Sequence, residues 1–417
     1  MNRRNFMRTL AAMIPAASCM PYFETLKAQE RNKVKITDVK CMRTDLGLRV
    51  SPMVKIETDA GIIGIGECHH SEKGYGEKDI IENVFKDILV GGDPFDLESL
   101  CFKMMTRTSY YGGNHGPAVH AVTGCEIALW DIIGKLTGQP VRKILGGGTH
   151  VETVRAYATS GPRGMTPEAC REWADRMKET GWTASKVDVS RDQRWNRLDN
   201  RRLSNTELLR NIEKYQNVRD AAGWDFDIIC HCHWEFDFDS ALRLCRGLEP
   251  MRPWWIEDPL PIAFNEQWVN LTAQSPVPVL CGENLYTRAD FRPFIVDQGV
   301  NMIEIDVSMA GGLLEAKKIA DLAELYYIPV ATHNVAGAVA TVASANCAAS
   351  IREFLGHELF ENRGGNNGVN GDFGILGYDE PVFQDGYLHL SDKPGLGIDL
   401  DEDLLKSYIC EDETWWD

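Results

Sequence analysis

The chain is short of positive charge. Among its 417 residues stand 44 lysines and arginines against 61 aspartates and glutamates, a formal charge of −17. Such a surface repels nucleic acid and anionic membrane at long range, so neither is expected as a partner, and an acidic ligand would need a local cation to hold it. No apolar run is long enough to span a bilayer. A glycine-rich phosphate fingerprint after a first strand is also missing, which argues against a doubly wound open sheet. Cysteine is not scarce, at 12 residues, but there is no CxxC, and apart from Cys230 and Cys232 the thiols stand singly. A disulfide framework is therefore not expected; most should be small buried apolar groups. What is present, 44% hydrophobic and 25% charged residues, is ordinary globular composition at a length that allows two domains.

Residues 1–30 open with MNRRNFMRTLAAMIPAASCMPY. Arg3 and Arg4, Phe6, a short mildly apolar stretch and the small residues Ala16, Ala17 and Ser18 resemble a twin-arginine-type export signal, which implies a periplasmic protein exported already folded. Cys19 fits a lipid-anchor site only loosely, and an anchor is not expected.

Residues 31–150 read as a separate α+β domain. VKITDVKCMRT and MVKIETDAGIIGIGE are alternating runs, the second broken by a turn at Asp59-Ala60-Gly61. The three- and four-residue steps of Val122, Cys125, Leu129, Ile132, Ile133 and Leu136 predict a helix over 117–137. Gly146-Gly147-Gly148 is a natural break.

Over 151–365 the pattern changes to short apolar runs that end in a polar residue: TASKVDV, DIICHCH, PWWIEDP, PVLCGEN, MIEIDVS, IPVATHN and HELFEN. From His231 the polar ends are Glu257, Glu283, Asp306, His333 and Glu361, at steps of 26, 26, 23, 27 and 28 residues. This regularity suits the strand-helix units of a parallel barrel, whose strand ends converge on one face. In CHCHWEF (230–236), strand alternation puts His231 and His233 on one face and the two cysteines on the other, so thiols and imidazoles should not share a metal.

WIEDP, CGENLYTR, IEIDVSMAGGLLEAKKIA and IPVATHN, in that order, resemble the mandelate racemase / muconate lactonizing enzyme subgroup of the enolase superfamily, most closely its acid-sugar dehydratases. IALWDIIGKLTGQPVRKILGGG resembles the family's domain junction, and DGYLHLSDKPGLGIDLDEDLL its C-terminal return, here 366–417, to the first domain. The resemblance implies an α/β fold: an α+β capping domain on a (β/α)7β modified TIM barrel. It also implies a single divalent ion, usually magnesium, held by three strand-end carboxylates. Such an ion stabilises the enediolate formed when a proton alpha to a carboxylate is removed.

Residue by residue, Glu257 and Glu283 match the second and third metal ligands. The first is normally an aspartate, and His231 stands there. A nitrogen ligand suits manganese or another transition metal better than magnesium. Asp188 on the preceding strand is the alternative ligand, or a base, where many relatives carry a catalytic lysine; Lys186 remains to bind the substrate carboxylate or stabilise the enolate. The resemblance makes His333 the base, oriented by Asp306, and His233 the acid that protonates a departing hydroxyl. Glu361 is either a hydrogen-bond partner of the substrate carboxylate or enolate, or one half of a salt bridge on the barrel rim. Loops 67–76 and 107–116, with Arg43 and Lys73, are candidates for substrate recognition.

The expected activity is dehydration of a small-molecule sugar acid to a 2-keto-3-deoxy acid, a hydro-lyase reaction. A racemase, epimerase or cycloisomerase would begin with the same enolisation, and a noncatalytic sugar-acid binder would follow if the His231 substitution abolished the metal site. The family resemblance also implies a homo-oligomer.

Overall fold

The computed structural model describes residues 34–45, 49–110, 112–147, 152–190, 201–361, 372–378 and 381–416. The export-signal stretch and Cys19 lie outside them. No helix among the described residues is long and apolar enough to cross a membrane.

The first domain is an antiparallel sheet of β1 (Ile36–Asp45), β2 (Val50–Thr58) and β3 (Ile63–Glu67), in that order. The helix Pro117–Thr137 covers it, starting on proline and ending at Gly138 in the left-handed conformation, φ 67°. β3 lies directly on this helix: a Cβ on Gly64 or Gly66 would fall 2.1 and 2.0 Å from the carbonyl oxygens of Ala128 and Gly124. Only glycine permits that approach.

The second domain is a closed ring of eight parallel strands: β4 (Thr153–Thr159), β5 (Ala184–Asp188), β6 (Asp227–His231), β7 (Trp255–Glu257), β8 (Val279–Cys281), β9 (Met302–Glu304), β10 (Val330–Thr332) and β11 (Phe354–Phe360). β11 pairs with β4 to close it. Helices connect successive strands, as the (β/α)7β reading requires. Tyr157, Ala184, Ile229, Trp255, Leu280 and Ala331 fill the interior as one buried layer. The barrel is a packed core beneath its mouth, not a pore.

The C-terminal chain adds β12 (Phe383–Gln384) and β13 (Tyr387–His389), the latter antiparallel to β4. It then reaches the first domain, where Thr44 bridges Ile409 and Arg43 pairs with Asp412 and Glu413.

The two domains lock through acids of the cap. Glu67 accepts from Ala340 N at 2.9 Å, and Glu126 from Leu313 N and Leu314 N, both at 2.9 Å. These amides open the helices Ala338–Ala348 and Leu313–Glu324, whose orphan N–H groups and positive dipole ends favour a carboxylate. The helices follow β10 and β9, so the cap is seated on the side of the barrel that carries His333 and Asp306.

Candidate active site

Strand alternation builds the site from the core layer. Two residues beyond Ala184, Ile229, Trp255 and Ala331 come Lys186, His231, Glu257 and His333, all buried. The hydrophobic layer therefore forms a floor, and the next inward positions form a polar ring.

On one side stands the candidate base. His333 Nδ1 hydrogen-bonds Asp306 Oδ2 at 2.7 Å. Asp306 Oδ1 accepts from Ser308 N at 2.8 Å, Ser308 Oγ at 2.5 Å and Met309 N at 3.1 Å. Burial favours neutral Asp306, but His69, His333 and Ser308 outweigh it and hold the carboxyl well below the usual aspartate range. Burial likewise disfavours imidazolium at His333, yet Glu358, Glu283 and Asp306 push its pKa well above the ordinary value. Its Nε2 lies 3.5 Å from Glu283 Oε2 and 3.7 Å from Glu358 Oε2.

On the other side stands the candidate metal centre. His231, Glu257, Asp258 and Glu283 bring ligand atoms within 4.8 Å of one another, all buried; Asp188, His231 and His233 form a second such group. Among the described residues, His231 Nε2, Glu283 Oε2 and both Asp258 carboxylate oxygens are buried without a hydrogen-bond partner. Buried groups of this kind are normally paired, and orphaned atoms on three residues of one such group fit a cation. The charge agrees: burial, then Glu283 and Glu257, push the Asp258 carboxyl well above its usual range. Among the described residues, Lys186 is the single lysine inside the ring. Its Nζ lies 2.8 Å from Glu257 Oε1, 2.7 Å from Glu358 Oε1 and 3.6 Å from Glu283 Oε2. One ammonium cannot balance that many carboxylates in a dry site.

His231 presents its two nitrogens differently. Nδ1 lies 3.1 Å from Asp188 Oδ1, whereas Nε2 faces Glu257 and Glu283, each at 3.6 Å. Asp188 thus sits where the outer carboxylate of a carboxylate-histidine-metal arrangement would, orienting the ring whose other nitrogen faces the centre.

His233 reaches the same place by a different route from that expected. β6 ends at His231, and His233 and Trp234 follow with φ of 54° and 58°, two successive left-handed residues that cost about 1–2 kcal/mol each. Trp234 N, bonded to Asp258 O at 2.7 Å, helps hold the turn. It stacks the His233 ring on His231 with centroids 3.6 Å apart and leaves Nδ1 3.8 Å from Asp188 Oδ1. Cys230 and Cys232 point instead into the core packed between barrel and helices.

Of the two readings of Glu361, the structure favours the rim salt bridge over the substrate contact. Glu361 lies just past β11, hydrogen-bonded by Arg176 and Ser160. The acid that faces inward from β11 is Glu358, held by Thr159, Lys186 and Asn334 N. It stands 25 residues after His333, well inside the spacing of the other strand ends, and that was the signal available. Arg43, a candidate for recognising an acidic group on the substrate, is instead taken by Asp412 and Glu413, and its Nη1 donates to Lys73 O at 3.1 Å. Glu304 was also missed: it is buried in the barrel, receives the Tyr157 hydroxyl, and burial together with Glu257 and Glu358 drives its carboxyl well above the usual range.

Residues 31–146 match the mandelate racemase / muconate lactonizing enzyme N-terminal domain, and residues 169–404 match the family described as enolase C-terminal domain-like. The chain belongs to the enolase superfamily. Its relatives in this superfamily include a D-xylonate dehydratase of Haloferax volcanii, 35% identical over 387 residues that cover 92% of this chain and 91% of that protein. A D-galactonate dehydratase of Pectobacterium atrosepticum is 30% identical, covering 84% and 89%. Among solved structures, a mandelate racemase/muconate lactonizing enzyme-like protein of Rubrobacter xylanophilus superposes with a TM-score of 0.83 at 31% identity, covering 93% of this chain and all of that one. An enolase superfamily member of Salmonella Typhimurium gives 0.80 at 29% identity, covering 89% and 98%.

Proposed function

We propose that this enolase superfamily member is a metal-dependent sugar-acid dehydratase, a lyase that turns a 2,3-dihydroxy acid into a 2-keto-3-deoxy acid. The observation that carries the reading is the placement of two histidines. His333 follows β10 and His233 follows β6, four places apart in a ring of eight strands and so on opposite sides of the mouth. The carboxylate cluster lies between them. His333 Nε2 takes the C2 proton, its electron pair passing into the enediolate, while Asp306 holds the opposite nitrogen and the resulting imidazolium. His233 delivers a proton to the C3 hydroxyl, which leaves as water, and the enol tautomerises to the ketone. Lys186 offers an ammonium to the substrate carboxylate.

His231, Glu257 and Glu283 would hold a divalent ion. Bound there, it supplies positive charge against the substrate carboxylate and offsets the Glu283 charge that favours protonated His333. With an imidazole among the donors, we infer manganese or another transition metal in preference to magnesium. The dehydratase names of the relatives support the reaction class and point to aldonic acids as the first to try. Twin-arginine export to the periplasm and homo-oligomeric assembly complete the proposal, on the N-terminal sequence and the family resemblance.

The test is proton NMR in deuterium oxide with D-xylonate, D-galactonate and D-gluconate. Loss of the C2 proton together with new C3 methylene signals is expected. Exchange at C2 with no methylene would make the protein a racemase or epimerase.

A further inference from the structure

Between the cap and the catalytic pair lies a hydrogen-bond chain that neither domain could make alone. His69 follows β3 by two residues, and its Nδ1 lies 2.7 Å from Ser308 Oγ, 239 residues away on the barrel. The Ser308 hydroxyl is in turn 2.5 Å from Asp306 Oδ1. Proton counting sets the direction of both bonds. A hydroxyl has one hydrogen, and ionised Asp306 can only accept, so Ser308 donates to Asp306 and accepts from His69. His69 therefore carries its proton on Nδ1. Burial, which keeps the imidazole neutral, is consistent with that single tautomer. The same Nδ1 is 3.6 Å from Asp306 Oδ2, the oxygen that receives His333.

The ring of His69 has little freedom to leave. It packs against His70 and His120 with centroids 4.1 and 4.9 Å apart, and His120 is held by Glu77 at 3.2 Å and by the Tyr286 hydroxyl at 3.3 Å. Two residues earlier, Glu67 anchors the strand end on Ala340 N.

We propose that His69 is a positioning residue for the general base: through Ser308 it fixes the Asp306 carboxylate, so that His333 is correctly oriented only when the cap is seated. The base is then a four-member chain, His69, Ser308, Asp306 and His333, assembled from both domains. The kinetic part of the proposal rests on the dehydratase reading; the hydrogen-bond part does not.

The test uses the full mature protein. His69→Leu is expected to lower kcat on D-xylonate about ten- to a hundredfold, the usual effect of losing an outer orienting partner, with KM changed less than about threefold. His69→Asn, whose amide donates from nearly the Nδ1 position, should restore most of it. Ser308→Ala should match His69→Leu, and the double variant should be no worse than either single one, because both break the same chain. Losses that multiply, or a rise in KM alone, would overturn the proposal, the latter by making His69 a substrate contact. A second readout needs no substrate. The low-field proton of His333 Nδ1, assigned by its disappearance in His333→Asn, should shift upfield in His69→Leu and Ser308→Ala and return in His69→Asn. An unmoved resonance contradicts the inference even if the protein dehydrates no sugar acid offered, whereas a moved resonance with inert wild-type protein faults the dehydratase reading alone.

Discussion

The two halves of the barrel mouth differ in how complete they are. On the β9–β10 side, both Asp306 oxygens have donors, and the cap is locked onto the helices that follow. On the β6–β8 side, among the described residues, His231 Nε2, Glu283 Oε2 and both Asp258 oxygens lack hydrogen-bond partners, and Lys186 stands among several acids. The first half is an orienting device finished by the protein itself. The second is a set of donors whose charge and geometry call for a cation. Glu283 joins them, its Oε2 lying 3.5 Å from His333 Nε2 and 3.6 Å from His231 Nε2.

The comparison breaks most sharply at His333. His333→Asn should abolish exchange of the substrate alpha proton, by about 10²–10⁴-fold, while metal content measured after dialysis stays that of the unmutated protein. Lost metal would mean that the two halves are not separable. His231→Ala tests the other half and should weaken metal binding more than Asp188→Asn, whose expected effect on the dissociation constant is about 10–100-fold, that of an outer partner. Equal metal affinity in His231→Ala would remove it as a ligand and favour Asp188.

Linkage gives a smaller and graded effect. Asp306 is held low, so its contribution to stability is full above the usual aspartate pKa and lost as pH falls through the lowered one. His333 is held high, so its contribution is full below the usual histidine pKa and lost as pH rises through the raised one. In chelated protein the contribution of this pair to stability should therefore be greatest between about pH 4 and 6.5, and the loss of that maximum in His333→Asn, followed by melting against pH, checks it. Loading a divalent ion beside Glu283 should flatten the alkaline decline, by lowering the His333 pKa; an NMR titration of its ring protons checks the sign. Smallest of all, Glu361→Gln removes a half-exposed pair with Arg176 and should cost at most about 1 kcal/mol, with activity changed less than threefold.

Much of this was legible in the chain. Helix 117–137 followed from its apolar steps, and the ring of strand ends from their near-constant spacing, because periodicity reports burial directly. The histidine pair of CHCHWEF was read as one alternating strand, but the rings meet through a left-handed turn after the strand has ended. Glu358 escapes the sequence reading because HELFEN holds two glutamates and the spacing alone does not choose between them, whereas a shift of three residues, to Glu361, reverses the face. Glu304 hid one alternation below Asp306. His69 lies in loop 67–76, a candidate for substrate recognition, but its link to the base is not legible there: its partner is supplied by the other domain, and no pattern within either segment reports a contact between them.

The measurement closest to the central claim is alpha-proton exchange of D-xylonate in deuterium oxide, followed by proton NMR with the same protein chelated and then loaded with manganese. The account predicts no exchange in the chelated sample despite an intact His333 Nδ1 resonance, and exchange with C3 methylene signals once the ion is restored. Equal exchange in both samples would contradict it, because the carboxylate half of the mouth would then need no cation to work.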